Sequence, residues 1–306
     1  MRTIVTRVLK TAIGIALLAW LIASVDVRQI GIALQRSDIR WIVAGLAAFA
    51  SATFVGIVRL QVLFRQLRLP ARQAAQVTIA SYFVNQLLPT GVGGDAYRAL
   101  RMKELTGTWP SAIGPLVFER MAGALALLLP GLVILVSDIR SESFVEAQVH
   151  GSLTPRVVLT ALCVAVLIAG IALLFARKSG YLRQTSSALI DAFRSLPPQR
   201  MVAIFALSVP HHALRVLGTA AFLSAVGHTI PFAAITLAMA LTLLGSLVPI
   251  SVGALGVREG ILASSLAFYG VPHADAVTVA LLNRAVVVLL GLGGFLVFYR
   301  ERHLRR

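Results

Sequence analysis

Six apolar runs, each long enough to cross a bilayer, constrain this chain more than any other feature. A helix rising 1.5 Å per residue needs about 20 residues to cross a hydrocarbon core of about 30 Å. Charged residues make up only 13% of the chain, against about 25% in soluble domains. We therefore predict an all-α, polytopic membrane helix bundle that forms a single integral membrane domain over residues 1–306. The predicted crossings are 8–25, 41–60, 112–136, 157–176, 201–226 and 276–299.

Two related segments, 160 residues apart, interrupt this membrane-type sequence. The first runs from Pro89 to Arg98 (PTGVGGDAYR) and the second from Pro249 to Arg258 (PISVGALGVR). Each is expected to break a helix, because proline removes a backbone donor and glycine lowers helix stability. Broken backbone is tolerated at membrane depth where it is buried in protein or lines a polar cavity. Paired breaks in two halves of a chain indicate a transporter-like site.

Short apolar segments flank both breaks. Residues 74–88 precede the first break, whereas 232–248 and 258–270 surround the second. These segments are too short for a simple crossing, so we predict two re-entrant or broken-helix hairpins. The similarity continues into the next helix, where Phe118-Glu119-Arg120 resembles Leu282-Asn283-Arg284. The repeat-like units are therefore predicted to cover about 74–136 and 232–299.

Lysine and arginine predict the orientation of the chain. Of 28 such residues, nineteen fall in the N-terminus, 59–72, 98–103, 177–200 and 300–306, which places these segments and both termini in the cytoplasm. The two hairpins then enter from opposite sides, as an inverted repeat. The net charge of +16 does not predict a nucleic-acid partner, because the basic residues cluster at the ends of apolar runs. Residues 181–196 are predicted to form an amphipathic helix at the cytoplasmic interface.

Arginines inside the apolar segments are candidates for function. A charged side chain at the bilayer centre costs about 2.5 to 3.5 kcal/mol on insertion scales, so it needs a partner or a water-filled cavity. We expect Arg120 and Arg284 to point into a cavity and bind an anionic group such as phosphate. The alternatives are local ion pairs, Arg120 with Glu119 or Arg258 with Glu259, and snorkelling to the interface. The arginines concerned are Arg120, Arg215, Arg258 and Arg284.

The breaks add a second kind of anion site, because helix N-termini expose backbone amides. Gly91, Gly93 and Gly94 allow a headgroup to approach the backbone closely, while Asp95 is expected to cap the helix that follows. The second copy has Leu255 at the position of Asp95 and so lacks this acidic cap.

A polar patch follows Pro210 inside a predicted crossing. His211 and Arg215 lie one turn apart there, beside His212, and either line the cavity or bond to neighbouring backbone. No catalytic residue, metal site or cofactor is predicted, because the chain contains no nucleophile elbow, Walker loop or metal-ligand spacing. A membrane enzyme that uses Glu119 or Glu259 as an acid or base is a further alternative.

These motifs together resemble the lysylphosphatidylglycerol synthase transmembrane-domain family, also described as flippase-like. The resemblance extends from about residue 10 to residue 300. It implies that the matching positions contact the lipid substrate, although Ser251 and Ala254 depart from the glycine-rich pattern of the second break. The predicted substrate-binding residues are Asn85, Pro89, Gly91, Gly93, Gly94, Asp95, Arg98, Glu119, Arg120, Pro249, Gly253, Gly256, Arg258, Glu259, Asn283 and Arg284.

Membership implies a multi-pass protein of a bacterial or archaeal cytoplasmic membrane. In fused members the membrane part is taken to translocate an aminoacylated lipid that a soluble C-terminal domain makes. Because this chain ends at Arg306 without that domain, we expect no aminoacyl transfer. We expect a lipid translocase for an anionic or phosphate-bearing lipid. The alternative is an accessory membrane subunit of a lipid or isoprenoid (hopanoid-type) biosynthesis enzyme, with that enzyme as its partner.

Overall fold

All the regular structure in the described part of the chain is helical, which confirms the all-α part of the predicted fold class. A computed structural model describes residues 27–87, 93–139, 196–246 and 254–304. Nine α-helices and one 3-10 turn, Arg65–Leu67, make up these residues. The helices are α1 Val27–Arg36, α2 Ile39–Leu63, α3 Ala71–Leu87, α4 Gly93–Thr106, α5 Trp109–Ile139, α6 Pro198–Ala225, α7 Phe232–Ser246, α8 Val257–Phe268 and α9 His273–Leu304.

Four of these helices are long and apolar enough to cross a membrane. The candidate spans lie in α2, α5, α6 and α9 and correspond to the predicted crossings 41–60, 112–136, 201–226 and 276–299. Their outer surfaces carry exposed apolar side chains such as Phe54, Val202 and Leu296, as lipid-facing helices require. The predictions at 8–25 and 157–176 lie outside the described residues. So does the predicted interfacial helix at 181–196, apart from its last residue.

The antiparallel pair α2 and α6 packs through a reciprocal exchange of glycine and phenylalanine. A Cβ on Gly218 would lie 2.6 Å from the ring of Phe49, and one on Gly45 would overlap the ring of Phe222. The two rings stack, with centroids 5.8 Å apart. Glycine is therefore needed at both positions, since a larger residue would separate the helices.

Two hairpin-like pairs of shorter helices flank this central pair. The helices α3 and α4 contact each other on either side of the first break, as α7 and α8 do on either side of the second. The longer helices pack across the two pairs, α9 against α3 and α5 against α7. The break residues 88–92 and 247–253 lie outside the described residues, so the inverted repeat stays a prediction.

Apolar packing is divided into two clusters. One joins α2, α3, α4 and α5 around Leu60, Phe64 and Met102. The other joins α6, α7, α8 and α9 with Phe49 of α2, around Phe222 and Leu266. Polar and charged side chains lie outside these two apolar clusters and line two cavities in the bundle.

Candidate functional site

The larger cavity has a volume of about 280 Å³ and is lined by residues from α2 to α7. Its polar wall contains both predicted residues and residues that were not predicted. Small-molecule sites begin at about 300 Å³, so this cavity suits a headgroup rather than a whole lipid. The polar and charged side chains of this wall are Arg59, Thr78, Ser81, Tyr82, Asn85, Asp95, Arg98, Glu119, Arg120, His211, His212 and Arg215.

Glu119 is the centre of the ion pairs in this cavity. It is 5% exposed, and its Oε2 accepts a hydrogen bond of 2.6 Å from Nη2 of Arg98. Nε of Arg59 lies 3.6 Å from Oε1 of Glu119, and Nη2 of Arg59 donates to the backbone oxygen of Glu119 at 2.9 Å. One buried carboxylate thus joins α2, α4 and α5, because each arginine comes from a different helix.

Asp95 forms a second pairing centre. Its carboxylate accepts a hydrogen bond from Arg120 of α5 and lies 3.7 Å from Nη1 of Arg98. Asp95 is the third residue of α4, so it sits in the first turn rather than ahead of the helix as a cap. Asp95 was expected to cap the helix, but its carboxylate instead pairs with two arginines. The alternative of a local pair between Arg120 and Glu119 is not what the structure shows, because Arg120 pairs with Asp95.

The start of α4 is held against α3. The N–H of Gly94 donates to Oδ1 of Asn85 at 3.2 Å. A Cβ on Gly94 would lie 2.8 Å from the backbone oxygen of Ser81, so only glycine permits this approach. Gly93, also buried, begins the helix. Asn85 therefore positions the start of α4 and also lines the larger cavity.

Two histidines of α6 complete the larger cavity. Nδ1 of His211 is 2.8 Å from the backbone oxygen of Ala52, which accounts for one of its nitrogens. Nδ1 of His212 and Nε of Arg98 are buried and have no hydrogen-bond partner within the described ranges. Buried polar atoms are normally satisfied. Each of these two atoms can therefore still form a hydrogen bond with a group from outside the described ranges.

The smaller chamber, of about 30 Å³, lies in the second half of the bundle, which is formed by α6 to α9. Arg215 belongs to the walls of both cavities and so marks their junction. Met239 and Leu262 supply part of the apolar wall. The polar residues of this chamber are Arg215, Thr242, Arg258, Glu259, Asn283 and Arg284.

Glu259 makes two polar contacts at the chamber. Its Oε2 accepts a hydrogen bond of 2.7 Å from the N–H of Gly256, which caps α8. Its Oε1 lies 3.5 Å from Nη1 of Arg284. The sequence-based expectation that this helix lacks an acidic cap is therefore wrong, because Glu259 folds back from the third helical position. The alternative of a local pair between Arg258 and Glu259 is not what the structure shows, because Glu259 pairs with Arg284.

Asn283 stands where the first half has Glu119. Its Oδ1 accepts from the hydroxyl of Thr219 at 3.1 Å, and its Nδ2 donates to the backbone oxygen of Val279 at 3.0 Å. An amide carries no charge, so it cannot neutralise Arg258 as Glu119 neutralises Arg98. Arg98 therefore pairs with a carboxylate, whereas Asn283 gives Arg258 no charged partner at the corresponding position.

Along each wall the arginines outnumber the carboxylates by two, with Arg215 counted in both. Six arginines and three carboxylates line the two cavities. Every ion pair to Asp95 and Glu119 involves Arg59, Arg98 or Arg120, which belong to the first half. Within the described ranges, Arg215 and Arg258 have no carboxylate at ion-pair distance. A concentration of cations with too few anions attracts an anionic ligand.

The predicted substrate-binding residues that the structure describes lie around two cavities and not in one pocket. Asn85, Gly94, Asp95, Arg98, Glu119 and Arg120 line the larger cavity, whereas Arg258, Glu259, Asn283 and Arg284 line the chamber. Gly93 and Gly256 support helix starts. Pro89, Gly91, Pro249 and Gly253 lie outside the described residues.

Two cavity residues were missed or undervalued by the sequence-based prediction. Arg59 was counted with the cytoplasmic charges, yet it lies inside α2 and is 5% exposed. Its position within the predicted crossing 41–60 was the available signal. Arg215 was placed in a patch with an uncertain role, but it lies at the junction of the two cavities. Its guanidinium also stacks over Phe49, 5.6 Å from the ring centroid.

A bundle with four candidate spans around cavities rich in arginine defines a multi-pass membrane protein with an internal polar site. Residues 7–294 match the family described as the Lysylphosphatidylglycerol synthase TM region. The chain therefore belongs to this family, as the motifs had indicated. No curated protein matches the chain.

Proposed function

We propose that this protein moves a phosphate-bearing lipid between the two leaflets of a bacterial or archaeal cytoplasmic membrane. The observation that carries the proposal is the larger cavity, whose wall holds four arginines and two carboxylates inside a bundle of candidate spans. Such a wall suits a negatively charged group, because arginine's planar fork matches phosphate. Membership of a membrane family related to lipid metabolism supports a lipid as the carrier of that group.

The size of the cavity supports a headgroup as the occupant. A volume of about 280 Å³ accommodates a compact glycerophosphate. The acyl chains remain in the bilayer, where the exposed apolar faces of the spans meet them. This division avoids transferring apolar chains into a polar cavity, which would cost free energy.

Both deep arginines are well placed to meet the headgroup during its passage. Arg120 and Arg284 each stand eleven residues after the first residue of α5 and α9, a rise of about 16 Å, or half the hydrocarbon thickness. The side chain of Arg120 is 39% exposed, so a ligand in the larger cavity can reach it. Movement of the hairpins as an inverted repeat, with both termini cytoplasmic, would expose the site to each leaflet in turn.

Exchange of fluorescent phosphatidylglycerol between leaflets of reconstituted vesicles tests this function. We expect rapid exchange with the unaltered protein and at least tenfold slower exchange with Arg120→Ala and with Arg284→Ala. Arg120→Lys should give an intermediate rate, since it keeps the charge and loses the planar fork. Arg40→Ala is the matched control, because Arg40 is exposed and outside both cavities.

Equal rates for the unaltered protein and both alanine variants would reject the proposal, provided that the variants elute as folded protein. Absence of exchange together with stoichiometric co-purification of a lipid-synthesis enzyme would instead support an accessory subunit.

A further inference from the structure

The small chamber lined by α6, α7, α8 and α9 is a second candidate site. We propose that it binds one compact anion between Arg215 and Arg258. The ligand is either a free inorganic anion such as chloride or a single phosphate group of a lipid headgroup. This site is much smaller than the larger cavity, and within the described chain neither Arg215 nor Arg258 has a carboxylate at ion-pair distance.

The charge of the chamber is the first argument. Three arginines, Arg215, Arg258 and Arg284, share its wall with one carboxylate, Glu259. That carboxylate is committed to Arg284 and to the N–H of Gly256. Removing charges from water without a counter-charge costs several kcal/mol per ion. An anion between the two remaining guanidinium groups would lower this cost.

Repulsion among the cations is the second argument. The charges of Arg215 and Arg284 repel that of Arg258, while the charge of Glu259, which forms its ion pair with Arg284, attracts it. No carboxylate of the described chain lies at ion-pair distance from Arg258, and the adjoining break, residues 247–253, contains no Asp or Glu. The positive charge therefore calls for a ligand from outside this region.

Comparison of the two halves gives the third argument. In the first half, Asp95 and Glu119 pair with all three arginines, Arg59, Arg98 and Arg120. The matching positions of the second half hold Leu255 and Asn283, which carry no charge. The carboxylate of the second half is Glu259, which pairs with Arg284, so Arg258 has no ion pair within the described chain.

The volume limits the kind of anion. About 30 Å³ exceeds the 10 to 15 Å³ that a single water needs, so the chamber holds about two waters or one compact ion. A whole headgroup does not fit. A phosphate could still enter from the larger cavity past Arg215, which lines both spaces. Of the two possible ligands, only the phosphate of a lipid headgroup rests on the proposed function.

Thermal unfolding of the full chain in non-ionic detergent distinguishes the sources. In one arm, chloride replaces gluconate at constant ionic strength. In the other, dioctanoyl phosphatidylglycerol is added in gluconate, with dioctanoyl phosphatidylcholine as the uncharged comparison. A bound anion should raise Tm by about 5 °C at a hundredfold excess over its Kd.

Three variants make the test specific. Arg258→Gln should abolish the rise, while the exposed-site control Arg40→Gln should retain it. Asn283→Asp should also abolish the rise but increase Tm in gluconate, because the new carboxylate supplies the missing anion. This variant keeps the test informative if Arg258→Gln does not fold.

A chloride-dependent rise that requires Arg258 identifies a free anion, and a lipid-dependent rise that requires Arg258 identifies a phosphate group. Equal rises in Arg258→Gln and Arg40→Gln, or no rise with either probe, would overturn the proposal. Lipid exchange measured in chloride-free vesicles separates this result from the proposed function. Failed exchange with an intact chloride effect removes only the translocase proposal.

Discussion

The guanidinium of Arg98 donates a hydrogen bond of 2.6 Å to the carboxylate of Glu119, and this contact joins α4 to α5. The two residues are 21 positions apart. Arg59 approaches the same carboxylate from α2, so three helices depend on one acidic side chain. Charges that are buried in this way stabilise the bundle only while each keeps its partner.

Replacing Glu119 by glutamine should destabilise the protein strongly. The neutral side chain would leave Arg59 and Arg98 buried with too little compensating charge, at a cost of about 3 kcal/mol. Denaturant unfolding in detergent measures this loss. Glu104→Gln is the control, because the side chain of Glu104 is 39% exposed and pairs with Arg101 within the same helix. Its replacement should cost less than about 1 kcal/mol. Equal losses for the two variants would contradict the role given to Glu119.

A methyl group on Gly45 should disturb the central helix pair. Gly45→Ala places a Cβ against the ring of Phe222, and overpacking of this kind costs about 1 to 3 kcal/mol. Gly31→Ala, where a Cβ meets nothing within 4 Å, should be neutral or stabilising. Combining Gly45→Ala with Phe222→Leu should recover part of the loss, as a double-mutant cycle would record. Strictly additive effects would argue against contact between the two sites.

Helices α5 and α7 should be close enough for a disulfide. A Cβ on Gly131 would lie 3.1 Å from Cβ of Ala240, near the usual disulfide range of about 3.5 to 4.5 Å. In a Cys163→Ala background, Gly131→Cys with Ala240→Cys should cross-link on oxidation, detected by a shift in gel mobility. Each single variant serves as a control.

If translocation requires α5 and α7 to separate, the oxidised double variant should stop exchanging lipid and recover after reduction. Efficient cross-linking with no change in the exchange rate would show that this contact stays closed throughout transport.

Asp95→Asn should strengthen the binding of phosphate lipid while slowing its exchange. The carboxylate of Asp95 competes with a ligand for Arg120, so its neutralisation frees the guanidinium. We expect the affinity for dioctanoyl phosphatidylglycerol to rise about tenfold, equivalent to about 1.4 kcal/mol. Slower release should then reduce the exchange rate. Weaker binding in the titration would contradict competition at Arg120.

Local sequence patterns predicted the helices well. The runs 41–60, 112–136, 201–226 and 276–299 correspond to the four candidate spans, because continuous hydrophobicity over a membrane's thickness has few structural alternatives. The short helices beside the breaks were also predicted within a few residues. Arg59 shows the limit of this reasoning, since a basic residue near the end of a run looks the same whether it snorkels or pairs inside the bundle.

The ion-pair partners could not be predicted from the sequence, for a physical reason. The local pairs considered as alternatives joined neighbours in sequence, Arg120 with Glu119 and Arg258 with Glu259. Adjacent residues on a helix point in different directions, so each carboxylate instead meets an arginine from another helix or another turn. Which arginine that is depends on how the helices are packed.

The sequence by itself determined an all-α membrane protein of the lysylphosphatidylglycerol synthase TM region family, with arginines deep in two spans. It did so because hydrophobic length, proline and glycine act over a few residues. Only the tertiary structure decided that Asp95 and Glu119 pair with the arginines of the first half, that Arg215 joins the two cavities, and that Arg258 has no carboxylate at ion-pair distance within the described chain. Charge compensation acts through space, between side chains that the packing of distant helices brings together.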